Sequence, residues 1–173
     1  PGSGNYWHRL RHTSGGTYAY NALGVINPAP PGGLIAADID GDGRDDLVYV
    51  KSAGDAIYWR RNQTVTSSSY AAEAVLWSLP AGTRLPAAPF IETKQRFRSV
   101  VRSGDVNGDG RIDLLVLTQQ GACGATPSCA TWNNQWQLLA SNGSALVPQH
   151  AFDGNTESLL ADFNADGLTD IGY

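Results

Sequence analysis

The chain has 173 residues, a hydrophobic content of 42% and a formal net charge of −4, which is enough sequence for a globular domain with a sizeable core. No basic run or stripe indicates a nucleic-acid partner, and no apolar stretch of about 18 residues indicates a membrane span. The negative net charge says little about binding partners, because most of the acidic residues fall into three short loops.

The chain opens with an aromatic segment at residues 6–10 whose pattern is typical of a β-strand. A second strand is predicted at residues 17–23. His8 and His12 lie beside arginines at the start of the chain, where a solvent-exposed histidine is favoured over a catalytic one. No acidic loop precedes these strands, so the chain is expected to begin in the middle of a repeat.

The first acidic loop covers residues 38–46 and follows the pattern D-x-D-x-D-G-x-x-D. Side-chain oxygens fall at loop positions 1, 3, 5 and 9, and the backbone carbonyl of Arg44 is available at position 7. Ca²⁺ accepts many oxygen ligands in a flexible geometry, so alternate residues of a tight loop can all face the ion, and glycine at position 6 permits the turn. Mg²⁺ requires a small octahedron and keeps its water. The loop is therefore predicted to bind calcium.

The flanking sequence excludes an EF-hand, which would need a bidentate glutamate at position 12 and a helix on each side. Position 12 is Tyr49, and residues 34–37 and 47–50 are short, apolar runs that suit buried strands. The loop is therefore predicted to join the two strands of a hairpin.

The same loop pattern returns twice along the chain, beginning at Asp105 and at Asp162. Asp, Asn and Gly also form good turns, which is the alternative explanation for a single copy. So many carboxylates in three turns would repel one another without a metal, however. Three calcium sites are predicted, with the residue at position 7 acting through its backbone carbonyl, and their residues are Asp38, Asp40, Asp42, Arg44, Asp46, Asp105, Asn107, Asp109, Arg111, Asp113, Asp162, Asn164, Asp166, Leu168 and Asp170.

Aromatic strands lie between the loops. Trp59 and Trp136 are predicted to occupy equivalent places in two repeat units, and Trp7 the same place in the opening segment. Fourth strands are predicted at residues 72–79 and 145–152. Each unit would then consist of a strand, the calcium loop, a second strand, an aromatic strand and a last strand.

The second unit is longer than the first because of a loop at residues 121–131 that contains Cys123 and Cys129. A zinc site needs more ligands than two cysteines provide. A disulfide between them is favoured, with two free thiols as the alternative. A disulfide together with calcium loops indicates an extracellular or otherwise oxidising compartment, such as a secreted or cell-surface protein.

The spacing of the loops, roughly 60 residues, indicates an array, and four strands per unit is the number in a propeller blade. We therefore expect an all-β fold of four-stranded antiparallel β-propeller blades, with a calcium loop between the first two strands of each blade. The expected division is a partial blade at 5–30, whole blades at 31–82 and 83–154, and a partial blade at 155–173.

About three blade-equivalents cannot close a ring, since propellers need about four to eight blades. The chain is therefore expected to be part of a larger propeller. The alternative is a homodimeric ring, in which the first hairpin of one chain pairs with the last hairpin of the other.

Residues 104–116, GDVNGDGRIDLLV, resemble the FG-GAP/VCBS repeat family, known from the β-propellers of integrin α-subunits and from many bacterial surface proteins. The resemblance implies calcium ligation at one rim of a propeller by Asp38, Asp40, Asp42, Asp46 and their counterparts. The Phe-Gly and Gly-Ala-Pro elements of the integrin version are absent, so an integrin-like adhesion role is not implied. The strands also look like repeats of bacterial Rhs-type and insecticidal toxin-complex proteins, in which the propeller forms a shell or docking platform.

Catalysis has no support in the sequence, which lacks G-x-S-x-G, H-E-x-x-H and phosphate-binding glycine motifs. We expect a non-catalytic extracellular scaffold in which calcium is structural. Its partner is expected to be a protein, or the remainder of a larger propeller, as in a toxin or surface assembly. The protruding loop at 121–131 is the predicted place for a partner.

A lectin-like propeller that binds carbohydrate is the main alternative, because tryptophan rings can stack on sugars. Periodic tryptophans are nevertheless more typical of packing between units. Trp132, beside the cysteine loop, is predicted to be the exposed tryptophan available for ligand contact. A third alternative is the non-catalytic propeller part of a polysaccharide-active enzyme.

Overall fold

The computed structural model describes residues 6–12, 18–25, 34–51, 54–63, 70–85, 101–121, 132–154 and 158–172. For residues 6–12, 18–25, 34 and 132 the description covers the backbone and not the side chain. In this part of the chain all strand pairing is antiparallel and no residue is helical. A helix long and apolar enough to cross a membrane is accordingly not found among these residues.

The described residues form thirteen strands. In chain order they are β1 (Tyr6–His12), β2 (Tyr18–Val25), β3 (Leu34–Ala37), β4 (Asp46–Val50), β5 (Ala56–Arg60), β6 (Ala74–Ser78), β7 (Thr83–Arg84), β8 (Val101–Gly104), β9 (Asp113–Gly121), β10 (Trp132–Ser141), β11 (Leu146–Asp153), β12 (Leu159–Ala161) and β13 (Asp170–Gly172).

Two sheets are built as four-strand meanders, β3-β4-β5-β6 and β8-β9-β10-β11. The short strand β7 extends the second sheet, since it pairs with β9 beyond the segment that pairs with β8. Two hairpins, β1-β2 and β12-β13, are two-stranded sheets. The predicted all-β class with four-stranded antiparallel sheets is confirmed, and the described residues do not show a closed propeller ring.

The three hairpins that carry the acidic loops have the same register. Ala37 lies opposite Asp46 in the first, and Gly104 lies opposite Asp113 in the second. In the third hairpin Ala161 lies opposite Asp170. Each loop therefore begins directly after a strand, and its ninth residue is the first residue of the next strand.

The core lies between successive units, because the strands present alternate residues to opposite faces. On β9, Leu114 and Val116 belong to the apolar cluster that also contains Val48 and Ile57 of the first sheet. The intervening residues Leu115 and Leu117 pack instead with Trp136, Leu160 and Ile171, so they face the third hairpin. This stacking of one sheet on the next is what a repeat array requires.

The tryptophans differ from the prediction in register. Trp59 lies opposite Val48 of β4, and Trp136 lies opposite Leu117 of β9. Counted from the first aspartate of each loop, Leu117 is two residues further along its strand than Val48 is. The expected equivalence of the two tryptophans is therefore wrong, because the longer strands β9 and β10 shift the aromatic position. Both rings are buried, with 8% and 3% exposed, as the packing interpretation predicts.

Candidate metal centre

The carboxylate at position 1 closes each acidic loop. Asp38 accepts hydrogen bonds from the backbone N–H groups of Gly41 at 2.9 Å, Asp42 at 3.1 Å and Gly43 at 2.8 Å. Comparable bonds close the other two loops, from Gly108 and Gly110 to Asp105 and from Asp166 and Gly167 to Asp162. Three separate stretches of sequence thus fold into one shape, with alternate polar side chains on the inside of a tight turn.

The aspartate at position 9 ties its loop to the sheet. Asp46 is fully buried and accepts the N–H groups of Ile39 at 3.3 Å and Asn62 at 2.7 Å. Burial raises the pKa of Asp46 to about 6, the nearby charges of Asp40 and Asp42 add to the increase, and the two backbone N–H groups oppose it. The ninth position therefore holds an acidic group that is costly to ionise without a cation.

Asp113 takes the same place in the second loop. It is 1% exposed and accepts the N–H groups of Val106 at 3.1 Å and Ser141 at 2.8 Å. Its pKa is likewise raised by burial. In the third loop the N–H of Phe163 donates to Asp170 at 3.0 Å.

An arginine at position 7 braces the first two loops. In the second loop Arg111 donates from Nε to the carbonyl of Ser141 at 3.3 Å and from Nη2 to Asp109 at 2.7 Å. The backbone N–H of Arg111 and its positive charge together lower the pKa of Asp109. Arg44 makes the corresponding contacts in the first loop, to Asn62 and Asp42. The third loop has Leu168 at this position and so lacks the brace.

The first loop contains a carboxylate oxygen that the protein leaves without a hydrogen bond. The side chain of Asp40 is only 4% exposed, and its Oδ2 has no hydrogen-bond partner. The guanidinium of Arg61 lies against that oxygen as an ion pair. Ligand oxygens of Asp38, Asp40 and Asp42 lie within 4.8 Å of one another. A buried oxygen without a hydrogen bond among three converging carboxylates fits a bound hard cation.

Several contributors to these sites were missed by reasoning from sequence. Ser141 is the last residue of β10, and Arg61 and Asn62 come directly after β5. No pattern in the sequence connects these residues with the loops. The side chains of Arg44 and Arg111 could have been noticed, since arginine recurs at position 7. The prediction used only their backbone carbonyls.

Several predicted features lie outside the described residues, including the side chains of Trp7, His8 and His12. Cys123 and Cys129, with most of the loop at 121–131, are among them, and so is the side chain of Trp132. The disulfide and the ligand contact stay predictions.

The geometry defines an all-β repeat protein with acidic loops between the first two strands of each unit. Residues 38–116, from the start of the first loop to the strand after the second, match the family model described as FG-GAP-like repeat. This part of the chain is therefore an FG-GAP-like repeat region, and the family resemblance is confirmed. No curated protein and no solved structure matches the chain. The narrower likeness to Rhs-type and toxin-complex proteins has no support from these comparisons.

Proposed function

We propose that this chain is a calcium-stabilised part of an extracellular β-propeller that acts as a non-catalytic interaction scaffold. Its three acidic loops each bind one Ca²⁺, and the ions hold the rims of the stacked sheets. The partner is a protein or the remainder of a larger propeller. Calcium is structural in this proposal, because the carboxylates of the loops also accept backbone N–H groups that fix the hairpins.

The observation that carries the proposal is the convergence of three carboxylates in the first loop, where the buried Oδ2 of Asp40 accepts no hydrogen bond. Leaving a desolvated carboxylate oxygen without a hydrogen bond costs free energy, and the neighbouring carboxylates of Asp38 and Asp42 increase that cost. A divalent ion at the centre of the loop would satisfy all three. The repeated cages around Asp105 and Asp162 extend the same assignment to the other loops.

Calorimetric titration of the chelator-treated chain with Ca²⁺ tests this function. We expect three bound ions in the wild type, and much weaker binding of Mg²⁺. Asp40→Asn should weaken the site of the first loop by roughly tenfold or more, because it removes one negative charge from the set of ligands. Asp55→Asn is the matched control, since Asp55 is an exposed residue outside the acidic loops, and it should leave all three sites unchanged.

Absence of calcium binding in the titration would contradict the proposal. Equal loss of affinity in Asp40→Asn and Asp55→Asn would contradict the assignment of the ligands. The scaffold role makes a separate prediction: the chain should show no turnover on a panel of polysaccharides and esters.

The carbohydrate-binding alternative is weakened by burial of the aromatic rings. Trp59, Trp77 and Trp136 are each at most 8% exposed, so their faces pack in the protein and are not available to stack on a sugar. A glycan array checks this directly, and binding that disappears when Trp132 is replaced would favour a lectin.

A further inference from the structure

The first acidic loop is held along one edge by residues of the second repeat unit. The N–H of Ile112 donates to the carbonyl of Asp38 at 2.8 Å. The hydroxyl of Ser141 donates to the carbonyl of Ile39 at 2.6 Å, and Ser141 is 4% exposed. Backbone groups next to two of the proposed ligands are thus fixed by a different unit of the protein.

Residues of the second unit also pack along the same edge, closely at Gly41 and at an ordinary distance near Asp40. A Cβ placed on Gly41 would lie 2.9 Å from Cγ of Arg111, so this side chain covers the glycine directly. A Cβ placed on Gly143 would lie 3.8 Å from the carbonyl oxygen of Asp40. Together with the two hydrogen bonds, these contacts reach four consecutive residues of the first loop.

The residues that make these contacts belong to the cage of the second loop. The N–H of Ser141 donates to Asp113 at 2.8 Å, while its hydroxyl reaches the first loop. Arg111 donates to Asp109 at 2.7 Å, while its aliphatic stem covers Gly41. An ion that orders the second loop would therefore also order the side chains that position the first loop.

The third loop contacts the second in a similar way. The N–H of Thr169 donates to the carbonyl of Asp105 at 2.9 Å, as that of Ile112 does to Asp38. A Cβ on Gly108 would lie 2.7 Å from Cδ2 of Leu168, which covers this glycine as Arg111 covers Gly41. The contact thus repeats from one loop to the next.

We propose that Ser141 and Arg111 are positioning residues for the calcium site of the first loop, so that the first and second sites bind ions cooperatively. The inference rests on the proposed calcium binding. An ion in the second loop fixes Asp109 and Asp113, and through them Arg111 and Ser141, whose aliphatic stem and hydroxyl contact Gly41 and Ile39 of the first loop. The first loop then has less disorder to lose when its own ion binds. Because such a coupling is reciprocal, an ion in the first loop must strengthen the second site by the same factor.

Titration with Ca²⁺ followed by ¹H–¹⁵N NMR separates the two sites, because the amides of Gly43 and Gly110 each donate to the first aspartate of their own loop. We expect Ser141→Ala to raise the calcium midpoint at Gly43 by about fivefold, since one buried hydrogen bond to the loop is lost. Ser141→Thr keeps a hydroxyl and should restore much of the affinity. Ser144→Ala is the matched control, because Ser144 is exposed and bonds only within its own turn among the contacts described.

A second pair of variants tests the coupling through the ligands and leaves Ser141 in place. Asp109→Asn weakens the second site and should raise the midpoint at Gly43, and Asp40→Asn should raise the midpoint at Gly110 by a comparable factor. A Gly43 midpoint that moves by less than about twofold in Ser141→Ala and Asp109→Asn would overturn the positioning role. That result would leave calcium binding intact, whereas the absence of any shift with calcium in wild type would overturn the proposed function itself.

Discussion

At the level of single residues, position 4 of the acidic loops has a backbone conformation that favours glycine over alanine. The backbone there is left-handed in all three loops, with φ of 76° at Gly41, 75° at Gly108 and 61° at Ala165. Alanine in this conformation costs about 1–2 kcal/mol relative to the ordinary helical region, whereas glycine adopts it readily. The third loop therefore has a conformational strain that the other two lack.

Ala165→Gly should accordingly raise the free energy of unfolding by about 1 kcal/mol, measured by urea denaturation. Gly108→Ala is the reverse substitution at the same loop position and should lower it, with an added clash between the new Cβ and Leu168 at 2.7 Å. Stabilisation by Gly108→Ala, or destabilisation by Ala165→Gly, would contradict this account of the loop.

The raised pKa of Asp46 predicts how the metal-free protein responds to pH. Its folded pKa of about 6 lies above the ordinary value of 3.8, so the folded state binds the proton more tightly than the unfolded state. The contribution of this group to stability is therefore present below about pH 4 and is lost as the pH rises through 6. In chelator, Asp46→Asn should make the decrease in unfolding free energy between these pH values shallower than in wild type. An identical slope in the two proteins would contradict the prediction.

At the level of elements, the end of the β10-β11 hairpin depends on a glycine. Gly154 is buried, its N–H donates to the carbonyl of Asn134 at 3.1 Å, and a Cβ there would lie 2.5 Å from backbone atoms of Asn134 and Gln135. Backbone cannot move aside as a flexible side chain can. Gly154→Ala should therefore cost about 1–3 kcal/mol of stability in thermal or urea unfolding.

Gly172→Ala is the control for this substitution. A Cβ at Gly172 would lie 3.3 Å from the ring of Phe163, which is 58% exposed and free to shift. The control should change the unfolding free energy by less than about 0.5 kcal/mol. Equal effects of the two variants would show that the backbone contact at Gly154 is not the cause.

The elements that could be predicted from sequence are those whose information is local. Each acidic loop and its two strands lie within a short stretch, so the turn residues and the flanking apolar runs were sufficient to predict the hairpins. The place of Trp136 was missed because a strand register depends on the partner strand as well as on the aspartate spacing. The role of Ser141 could not be predicted, since it contacts Ile39 across 102 residues of sequence.

At the level of the whole molecule, successive units bury one another. Position 2 of the first loop, Ile39, is 0% exposed and lies in the core shared with the second sheet. Position 2 of the third loop, Phe163, is 58% exposed. In a stacked array the stability is approximately a sum of terms for each unit and terms for each pair of neighbouring units. The side chain at position 2 should therefore contribute much more to the free energy of unfolding in the first loop than in the third.

Ile39→Ala should therefore lower the free energy of unfolding by about 2–5 kcal/mol. Phe163→Ala should lower it by less than about 1 kcal/mol, although it removes a larger side chain. Urea unfolding in chelator measures both without interference from calcium. Comparable losses would contradict the stacking of units as the source of stability.

Removing calcium should loosen the loops before the sheets. The core that contains Val48 and Leu114 is apolar and does not need an ion, whereas the amides of Gly43, Gly110 and Gly167 are held by the proposed ligands. At a hundredfold excess of calcium over Kd, each occupied site stabilises the folded state by about 2.7 kcal/mol, and chelation removes this term. Hydrogen exchange after chelation should therefore accelerate first at these glycines, while strands β4 and β9 keep their protection. The control is the same measurement with Mg²⁺ in place of Ca²⁺ at equal ionic strength. Unchanged exchange at the glycines would contradict calcium binding, and simultaneous loss of protection in loops and strands would mean that the ions hold the entire fold and not its rims.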